Sequence, residues 1–362
     1  MADVGVISFL HNDNYGSTLQ AWAMQQTLSD LGLTPVHLNY RPDSVEKVLN
    51  QVRSGNSLRV LSDSLKRNSV KRTEPGAVEK AAAFRAFQRE SLHLTAPCRN
   101  KAELRAAAKD CPLLICGSDQ IWSPEWLNPV YFLNFAGPGQ RKAAYACSLG
   151  VSALPAERKQ RLMRRLVEGF DAVSLREEEG LALLRRIAPD CPACVMPDPV
   201  FLVTPDRWQA LASPPKQRGG MVCYLMGDAP ANWERVAALS KSFSRTTLIP
   251  VSAQSYHQPY HQEAGKDPRD WLGLLLSADH VCTDSFHGAA FAVLLGIPVT
   301  ILRRYRDGES SSKNSRIDQL LRHIGHGGDD TVLPDEKTRQ AVERLRKMGR
   351  SWLKEQIVRV KE

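Results

Sequence analysis

The sequence SADHVCTDSFHG at residues 277–288, which continues as AAFAVLLG at residues 289–296, decides the fold of this chain. The apolar run at 280–283 predicts a buried strand, and the polar residues after it predict a sharp turn. The small apolar residues that follow predict a helix ending at Gly296. A second short strand is predicted at 297–302. This order is half of a βαβ unit, the building block of a parallel sheet.

His287 is predicted at the carboxyl end of that strand, beside the first turn of the helix. Free N–H groups and the positive end of the helix dipole collect there, so the position suits an anion. Gly288 lacks a side chain where a ligand has to come close. A titratable imidazole beside an anion site is what acid–base chemistry on a phosphorylated substrate needs. A His at such a turn is also often a capping or packing residue, and both interpretations stay open.

Size and charge set wide limits on function. The chain has 362 residues, which suits two domains of about 150 residues each. The formal net charge of +9 favours an anionic ligand, a nucleic acid or an acidic membrane face, without choosing among them. We expect no nucleic acid partner, because the usual recognition motifs are absent and the basic residues do not gather in one stretch.

The cysteines and the termini point to a cytoplasmic protein. Cys191 and Cys194 form a lone CxxC pair, and the sequence offers no second pair or histidines at the spacing of a zinc site. We therefore expect no metal and no cofactor. The N-terminus lacks a basic segment followed by an apolar one, and no apolar run reaches about 18 residues, so neither a secretory signal nor a membrane span is predicted.

Three parts are predicted along the chain. An N-terminal α/β domain at 1–205 contains a first βαβ unit, without a GxGxxG or P-loop signature, and a mobile excursion at 42–78. A C-terminal α/β domain covers 206–334, and a basic amphipathic helix covers 335–362. That helix is expected to pack on the protein, with docking on the inner face of an anionic membrane as the alternative. Because ligands bind beyond the carboxyl ends of strands in α/β sheets, two such halves predict a site in the cleft between them.

Several short motifs occur in order along the chain. They are NYGSTLQAW at 14–22, GSDQIW at 117–122, SLRE at 174–177, DPV at 198–200, DSFHG at 284–288 with GIP at 296–298, and NSRI at 314–317. Together they resemble the motifs of the polysaccharide pyruvyl transferases. The resemblance runs from residue 12 to about residue 322.

The resemblance implies two Rossmann-like domains facing across a cleft, similar to GT-B glycosyltransferases. It implies transfer of the enolpyruvyl group of phosphoenolpyruvate to a sugar hydroxyl of a surface polysaccharide or its precursor, with formation of a pyruvate ketal and release of phosphate. His287 and Arg176 match the family's histidine and one of its donor-binding basic residues. Further donor-binding residues are expected among Ser285, Gly288, Arg303, Arg304, Lys313 and Arg316. Some relatives carry Arg-Leu-His where this chain has Ser285-Phe286-His287.

The expected chemistry divides between an acid and a base. His287 is the expected general acid, and Asp119 is the expected base for the acceptor hydroxyl, with Asp284 as a second candidate. An Asp at a strand end also commonly caps the next helix. Asn14 and Tyr15 are expected on the acceptor side, with turn formation and packing as the alternative.

The acceptor is expected to be a sugar or glycan, free or lipid-linked. Trp122 is expected to stack on it, although core packing explains this residue equally well. Two other functions remain open at this stage. One is a GT-B-type glycosyltransferase that uses a nucleotide sugar, and the other is a non-catalytic glycan-binding protein of the same fold.

Overall fold

The computed structural model describes residues 2–10, 13–54, 76–252, 254–304, 314–327 and 330–361. Within these residues the chain forms two six-stranded sheets, one in each half of the sequence, with helices packed around them. The predicted fold class of two Rossmann-like α/β domains is confirmed.

Six short strands form the first sheet: β1 (Val4–Ile7), β2 (Pro35–His37), β3 (Leu113–Gly117), β4 (Arg141–Cys147), β5 (Ala172–Leu175) and β6 (Ala193–Val195). They are all parallel, in the order β2-β1-β3-β4-β5-β6. Helices cover both faces of such a sheet, which is why β1, β3 and β5 are buried along their whole length. The helices of this half are α1 (Tyr15–Asp30), α2 (Ser44–Ser54), α3 (Ala77–Ser91), α4 (Lys101–Ala107), α5 (Glu157–Val167) and α6 (Glu178–Ile187).

The second sheet contains β7 (Met221–Tyr224), β8 (Thr246–Leu248), β9 (His261–Gln262), β10 (His280–Thr283), β11 (Val299–Ile301) and β12 (Thr331–Val332). Its order is β12-β11-β10-β7-β8-β9, and β12 pairs antiparallel with β11. The helices of this half are α7 (Pro205–Leu211), α8 (Pro230–Ser240), α9 (Pro268–Leu276), α10 (Phe286–Leu295), α11 (Ser315–His323) and α12 (Glu336–Lys361). Short 3-10 turns lie at Pro124–Trp126, Pro129–Phe132, Pro199–Leu202 and Gln254–His257.

Helix α10 begins and ends where the sequence predicts. Ser285 caps its start, because the Gly288 N–H donates to the Ser285 hydroxyl at 3.4 Å. Gly296 ends it in the left-handed conformation, with φ of 74°. The side chains from Phe286 to Leu294 are buried, so the helix lies inside the molecule rather than on its surface.

Gly288 makes room for the protein rather than for a ligand. A Cβ at this position would overlap the hydroxyl of Thr283. That hydroxyl donates to the carbonyl of Tyr224 at 2.6 Å and joins β10 to β7. The donor-binding role expected for Gly288 is therefore corrected to a packing role, in which a glycine lets the helix start close to its own strand.

The two domains share one hydrophobic core at their junction. Tyr15 at the start of α1 stacks on Trp271 of α9, with ring centroids 5.4 Å apart, and its hydroxyl donates to the Lys266 carbonyl at 3.0 Å. Trp22 of α1 contacts Trp208 of α7 at 4.8 Å between centroids. The prediction that Tyr15 lines the acceptor side is wrong, because its ring is fully enclosed by this packing.

The excursion predicted at 42–78 is helical at its start. Helix α2 turns polar residues inward, where Asn50 donates to the Tyr40 hydroxyl at 2.9 Å. Its exposed apolar residues are Val45, Val48, Leu49 and Val52. For these residues the predicted mobile excursion is corrected to a helix, and residues 55–75 lie outside the described part of the chain.

Helix α12 crosses both domains. Val342 and Leu345 are buried in the shared core, and Leu353 is buried among residues of the first domain. Arg350 reaches Asp30 of α1, with Nη1 and Oδ2 3.2 Å apart. The prediction that this helix packs on the protein is confirmed. Among the described residues, no helix has the length and apolar composition to cross a membrane.

Candidate functional site

A polar cavity of about 200 Å³ lies between the two domains. Its wall is formed by residues that follow β1 and β3 in the first domain and β7 and β10 in the second. The cavity therefore lies at the carboxyl ends of the central strands. The residues that line it are Phe9, Asn14, Asp119, Gln120, Trp126, Met226, Ser285, Phe286, His287, Arg304 and Arg316. Both domains are therefore needed to form the site.

Two helices start at this cavity, one from each domain. Asn14 caps α1 by accepting the Ser17 N–H at 3.1 Å, as Ser285 caps α10. The first-turn N–H groups and the dipole of each helix add positive potential at its start. The predicted positions of Asn14 and Ser285 at the site are therefore found in the structure, where both residues line the cavity.

His287 lies where the two helix starts meet, and only 6% of its surface is exposed. Its ring packs on the backbone of Gly16 in α1, where any Cβ would overlap Nδ1. Its Nε2 lies 3.4 Å from Oδ2 of Asp198, which belongs to the other domain. The imidazole is thus held between the domains and faces the cavity.

Asp198 is a buried carboxylate that gathers donors from several elements. Its Oδ2 accepts from the Ser118 hydroxyl at 3.0 Å and from Nη1 of Arg176 at 2.6 Å, in addition to its contact with His287. Its Oδ1 accepts from the Val200 N–H at 3.1 Å. Burial by itself would raise the pKa of Asp198, but His287 and Arg176 outweigh it and lower the pKa below its usual range.

Arg176 lies behind the cavity wall rather than in it. It is 2% exposed and forms ion pairs with Asp198 at 2.6 Å and with Asp119 at 3.7 Å. The face of its guanidinium lies 4.6 Å from the ring centroid of Phe286. Its Nε and Nη2 are buried without hydrogen-bond partners among the described residues. Arg176 does not line the cavity in this structure, and its expected role at the donor stays a prediction.

Asp119 lines the cavity from the loop after β3. The residue has a positive φ of 63°, as does Ser118 before it at 34°, a conformation that is uncommon for non-glycine residues. Its carboxylate accepts from the Ser17 hydroxyl of α1 and from the Gln120 N–H at 2.8 Å. Burial would raise its pKa, but Arg176 and His287 outweigh burial and lower it. Asp119 is therefore an ionised carboxylate at the site.

Arg316 is the cation in the wall for which no ion pair occurs among the described residues. Its Nε is buried without a hydrogen-bond partner in that part of the chain. Burial and the neighbouring Arg176 lower the pKa of Arg316 to about 10. The side chain as a whole is half-buried, and its guanidinium lies 5.9 Å from the ring centroid of Phe286. A guanidinium with an unsatisfied buried N–H and no ion pair favours binding of an anion in the cavity.

The other basic residues expected at the donor site differ in position. Arg304 lines the cavity and pairs with Asp284 at 3.3 Å. Arg303 pairs with Asp318 and does not line the cavity. Lys313 lies outside the described residues.

Asp284 does not serve as a base in this arrangement. Its two oxygens accept from the N–H groups of Met226 at 2.6 Å and Gly227 at 2.8 Å, and it also holds Arg304. The residue is buried and joins the end of β7 to the end of β10. Its role is therefore structural, although it is not the cap of the next helix, which is Ser285.

The tryptophan at the cavity is not the predicted one. Trp122 is fully buried, stacks on Phe132 at 4.7 Å and donates to the Tyr131 carbonyl at 3.0 Å, so it cannot stack on a sugar. Trp126, four residues later, is half-buried and lines the cavity. Its Nε1 donates to the Gln120 carbonyl at 3.1 Å, which fixes the ring in the wall.

Three residues that build the site lie within the motifs quoted above, but the sequence analysis gave them no role there. Gly16 makes room for His287, and Asp198 holds His287 and Arg176. Glu177 accepts from the Ser148 hydroxyl at 2.8 Å and supports the same buried network. The Asp-Pro pair at 198–199, just after β6, is the sequence signal that indicates a carboxylate held in a turn at a strand end.

A larger cavity of about 500 Å³ lies in the second domain, beside Arg245, His261, Glu263 and Lys266. Lys266 and His261 both contact Glu263 there, at 2.8 and 3.1 Å, and Arg245 donates to the Gln217 side chain and the Gly219 carbonyl. The smaller cavity is the stronger candidate, because it lies at the starts of α1 and α10 and brings together His287, Asp119 and Arg316 from both domains. No cluster of three or more metal-binding side chains occurs in the part of the chain that the structure describes, where Cys191 and Cys194 are free thiols.

The model of one protein family, described as polysaccharide pyruvyl transferase, matches residues 14–304. No curated protein matches the chain. Among solved structures, the UDP-GlcNAc 2-epimerase from Neisseria meningitidis bound to UDP-GlcNAc is 11% identical with a TM-score of 0.47, over 99% of this chain and 98% of that one. MurG from Acinetobacter baumannii is 7% identical with a TM-score of 0.43, over 97% and 90%. We draw no functional argument from likenesses this remote.

Proposed function

Because the chain belongs to the polysaccharide pyruvyl transferase family, we propose that its donor is phosphoenolpyruvate and its product a pyruvate ketal. The enolpyruvyl group is transferred to a sugar of a surface polysaccharide or of its precursor, free or lipid-linked, and phosphate is released. The family itself makes the protein a transferase of polysaccharide biosynthesis. The donor, the ketal chemistry and the roles below are the proposal.

Arg316, whose guanidinium has no ion pair among the described residues, carries this proposal. It lies in one cavity with His287, Asp119 and Arg304, at the starts of α1 and α10. Guanidinium groups and helix N–H groups are the donors that phosphate and carboxylate prefer. A small dianionic acid such as phosphoenolpyruvate supplies the missing counter-charge, with Arg304 as its second cationic neighbour.

His287 delivers the proton that the reaction needs. Its imidazole lines the cavity and gives a proton to the methylene carbon of the donor, which becomes a methyl group. Positive charge then develops at the adjacent carbon, where one acceptor hydroxyl adds. Phosphate leaves with the electron pair of its bond to that carbon, and a second hydroxyl closes the ketal.

Asp119 takes the proton of an attacking hydroxyl. It is ionised and lines the cavity, which are the two requirements for a base. Asn14, Gln120 and Trp126 continue the wall on the same domain, so we assign them to the acceptor side. Trp126 offers an aromatic face for a sugar ring, in place of Trp122.

The test is phosphate release from phosphoenolpyruvate with a glycan acceptor. We expect His287→Ala to lower turnover by about 10²–10⁴-fold, the usual contribution of a general acid, while the melting temperature stays close to that of the wild type. His261→Ala is the matched control, since His261 is exposed and pairs with Glu263, and it should leave turnover unchanged.

Thermal shifts with ligands separate this proposal from a nucleotide-sugar glycosyltransferase. Phosphoenolpyruvate should raise the melting temperature of the wild type, and uridine or guanosine diphosphate sugars should not. Stabilisation by a nucleotide sugar alone, or near wild-type turnover of His287→Ala, would contradict the proposal.

A further inference from the structure

Helix α2 carries its apolar residues on the outside of the molecule. We propose that α2 docks on the surface of an anionic lipid bilayer and so brings the first domain to the membrane that holds the acceptor. This inference rests on the proposed function, because it selects the lipid-linked form of the acceptor named there.

The two faces of α2 are inverted relative to those of an ordinary surface helix. Glu46, Asn50 and Ser54 recur every four residues and are buried. Asn50 donates to the Glu46 carboxylate at 3.4 Å and to the Tyr40 hydroxyl at 2.9 Å, so this polar face packs on the protein. The opposite face presents apolar side chains at the spacing i, i+3, i+4 and i+7, namely Val45, Val48, Leu49 and Val52. That spacing makes one continuous apolar stripe, which a surface helix normally turns toward the core.

Exposed apolar side chains are concentrated on this helix. Of the seven large apolar side chains that are exposed in the described part of the chain, four belong to α2, and Val45 and Val52 are 68% and 61% exposed. Single exposed residues need no explanation, whereas a contiguous apolar stripe marks a surface that contacts something apolar. Helix α12, the other amphipathic helix considered for a membrane, packs Val342, Leu345 and Leu353 into the protein cores, so its apolar face is already covered.

The charge beside α2 favours an anionic bilayer over a second copy of the chain. Lys47 on α2 is exposed. The sequence at 55–75, which follows α2, has five basic residues and two acidic ones, namely Arg59, Lys66, Arg67, Lys71 and Arg72 against Asp63 and Glu74. An apolar helix face with an excess of positive charge beside it is the arrangement by which interfacial helices bind anionic lipids. Two copies of the same surface would repel each other.

Helix α2 lies on the side of the cavity to which we assign the acceptor. It follows β2, which runs parallel beside β1, so it starts at the same edge of the sheet as the cavity. Phe9 in the cavity wall lies 4.8 Å from Tyr131 between ring centroids. Tyr131 in turn lies 6.0 Å from Tyr40, whose hydroxyl accepts from Asn50 of α2. Docking by α2 therefore leaves the lipid anchor of the acceptor in the bilayer while its sugar reaches the cavity.

The experiment measures co-sedimentation of the full chain with vesicles of phosphatidylcholine, with and without phosphatidylglycerol. We expect the wild type to bind the vesicles that contain phosphatidylglycerol and to be released by added salt. The double variant Val45→Gln/Val52→Gln should bind them at least about tenfold more weakly, because it removes apolar area that enters the bilayer. Its melting temperature should stay close to that of the wild type, since both side chains are exposed. Leu333→Gln is the matched control, because Leu333 is also 68% exposed but lies outside α2, and it should bind as the wild type does.

Absence of vesicle binding by the wild type overturns the inference, as does equal binding by the wild type and the double variant. Self-association without vesicle binding, abolished in the double variant and seen by analytical ultracentrifugation, assigns the stripe to a second copy of the chain and also overturns it. Weaker binding by Met348→Gln alone, on α12, has the same consequence. Vesicle binding needs no turnover. A wild type that binds vesicles without releasing phosphate from phosphoenolpyruvate therefore contradicts the proposed function, and one that releases phosphate without binding vesicles contradicts only this inference.

Discussion

Arg316 shows how one residue can reveal a binding site. Arg316 is half-buried, its Nε is buried without a hydrogen-bond partner among the described residues, and an unsatisfied donor of this kind costs free energy unless a ligand completes it. We predict that Arg316→Ala weakens phosphoenolpyruvate binding by about 1.5–3 kcal/mol, or roughly 10- to 150-fold in Kd. The free energy of unfolding should stay the same or rise, because the variant removes an unpaired charge. Calorimetry and urea unfolding measure the two effects.

Arg161→Ala is the control for this prediction, since Arg161 forms an exposed pair with Glu157 on α5. It should change neither donor affinity nor stability measurably. A clear loss of stability in Arg316→Ala with unchanged donor affinity would mean that the charge is structural.

At the scale of secondary-structure elements, the site depends on the contact between the starts of α1 and α10. Gly16 lets the backbone of α1 touch His287, and a methyl group there would overlap the ring. We predict that Gly16→Ala displaces the imidazole and lowers turnover by about 10²-fold or more, measured as phosphate release. Gly327→Ala is the control, because nothing lies within 4 Å of a Cβ at that position. Full activity of Gly16→Ala would show that the two helix starts need not touch.

At the scale of the whole molecule, the site exists only where the two domains meet. His287, Arg304 and Arg316 come from one domain, and Asp119 and Asp198 from the other. The shared core around Tyr15 and Trp271 and the crossing of α12 hold the domains together. The acid and the base of the proposed reaction are therefore positioned by the domain arrangement.

The sequence correctly predicted those structural features that are decided by residues close together in the chain. Strand β10, the cap at Ser285 and the stop at Gly296 each follow from residues within one short stretch. It could not tell Trp122 from Trp126, because only the path of the loop after β3 decides which ring is buried. Nor could it show that Arg176 pairs with Asp198, because the two residues lie on different elements and come together only after folding.

The most direct measurement is a crystal structure of the wild-type protein with phosphoenolpyruvate. The account predicts the donor in the cavity between the domains, with its anionic groups on Arg316, Arg304 and the start of α10, and its methylene carbon beside the imidazole of His287. Donor density elsewhere, or in this cavity with Arg316 turned away from it, would contradict the central claim.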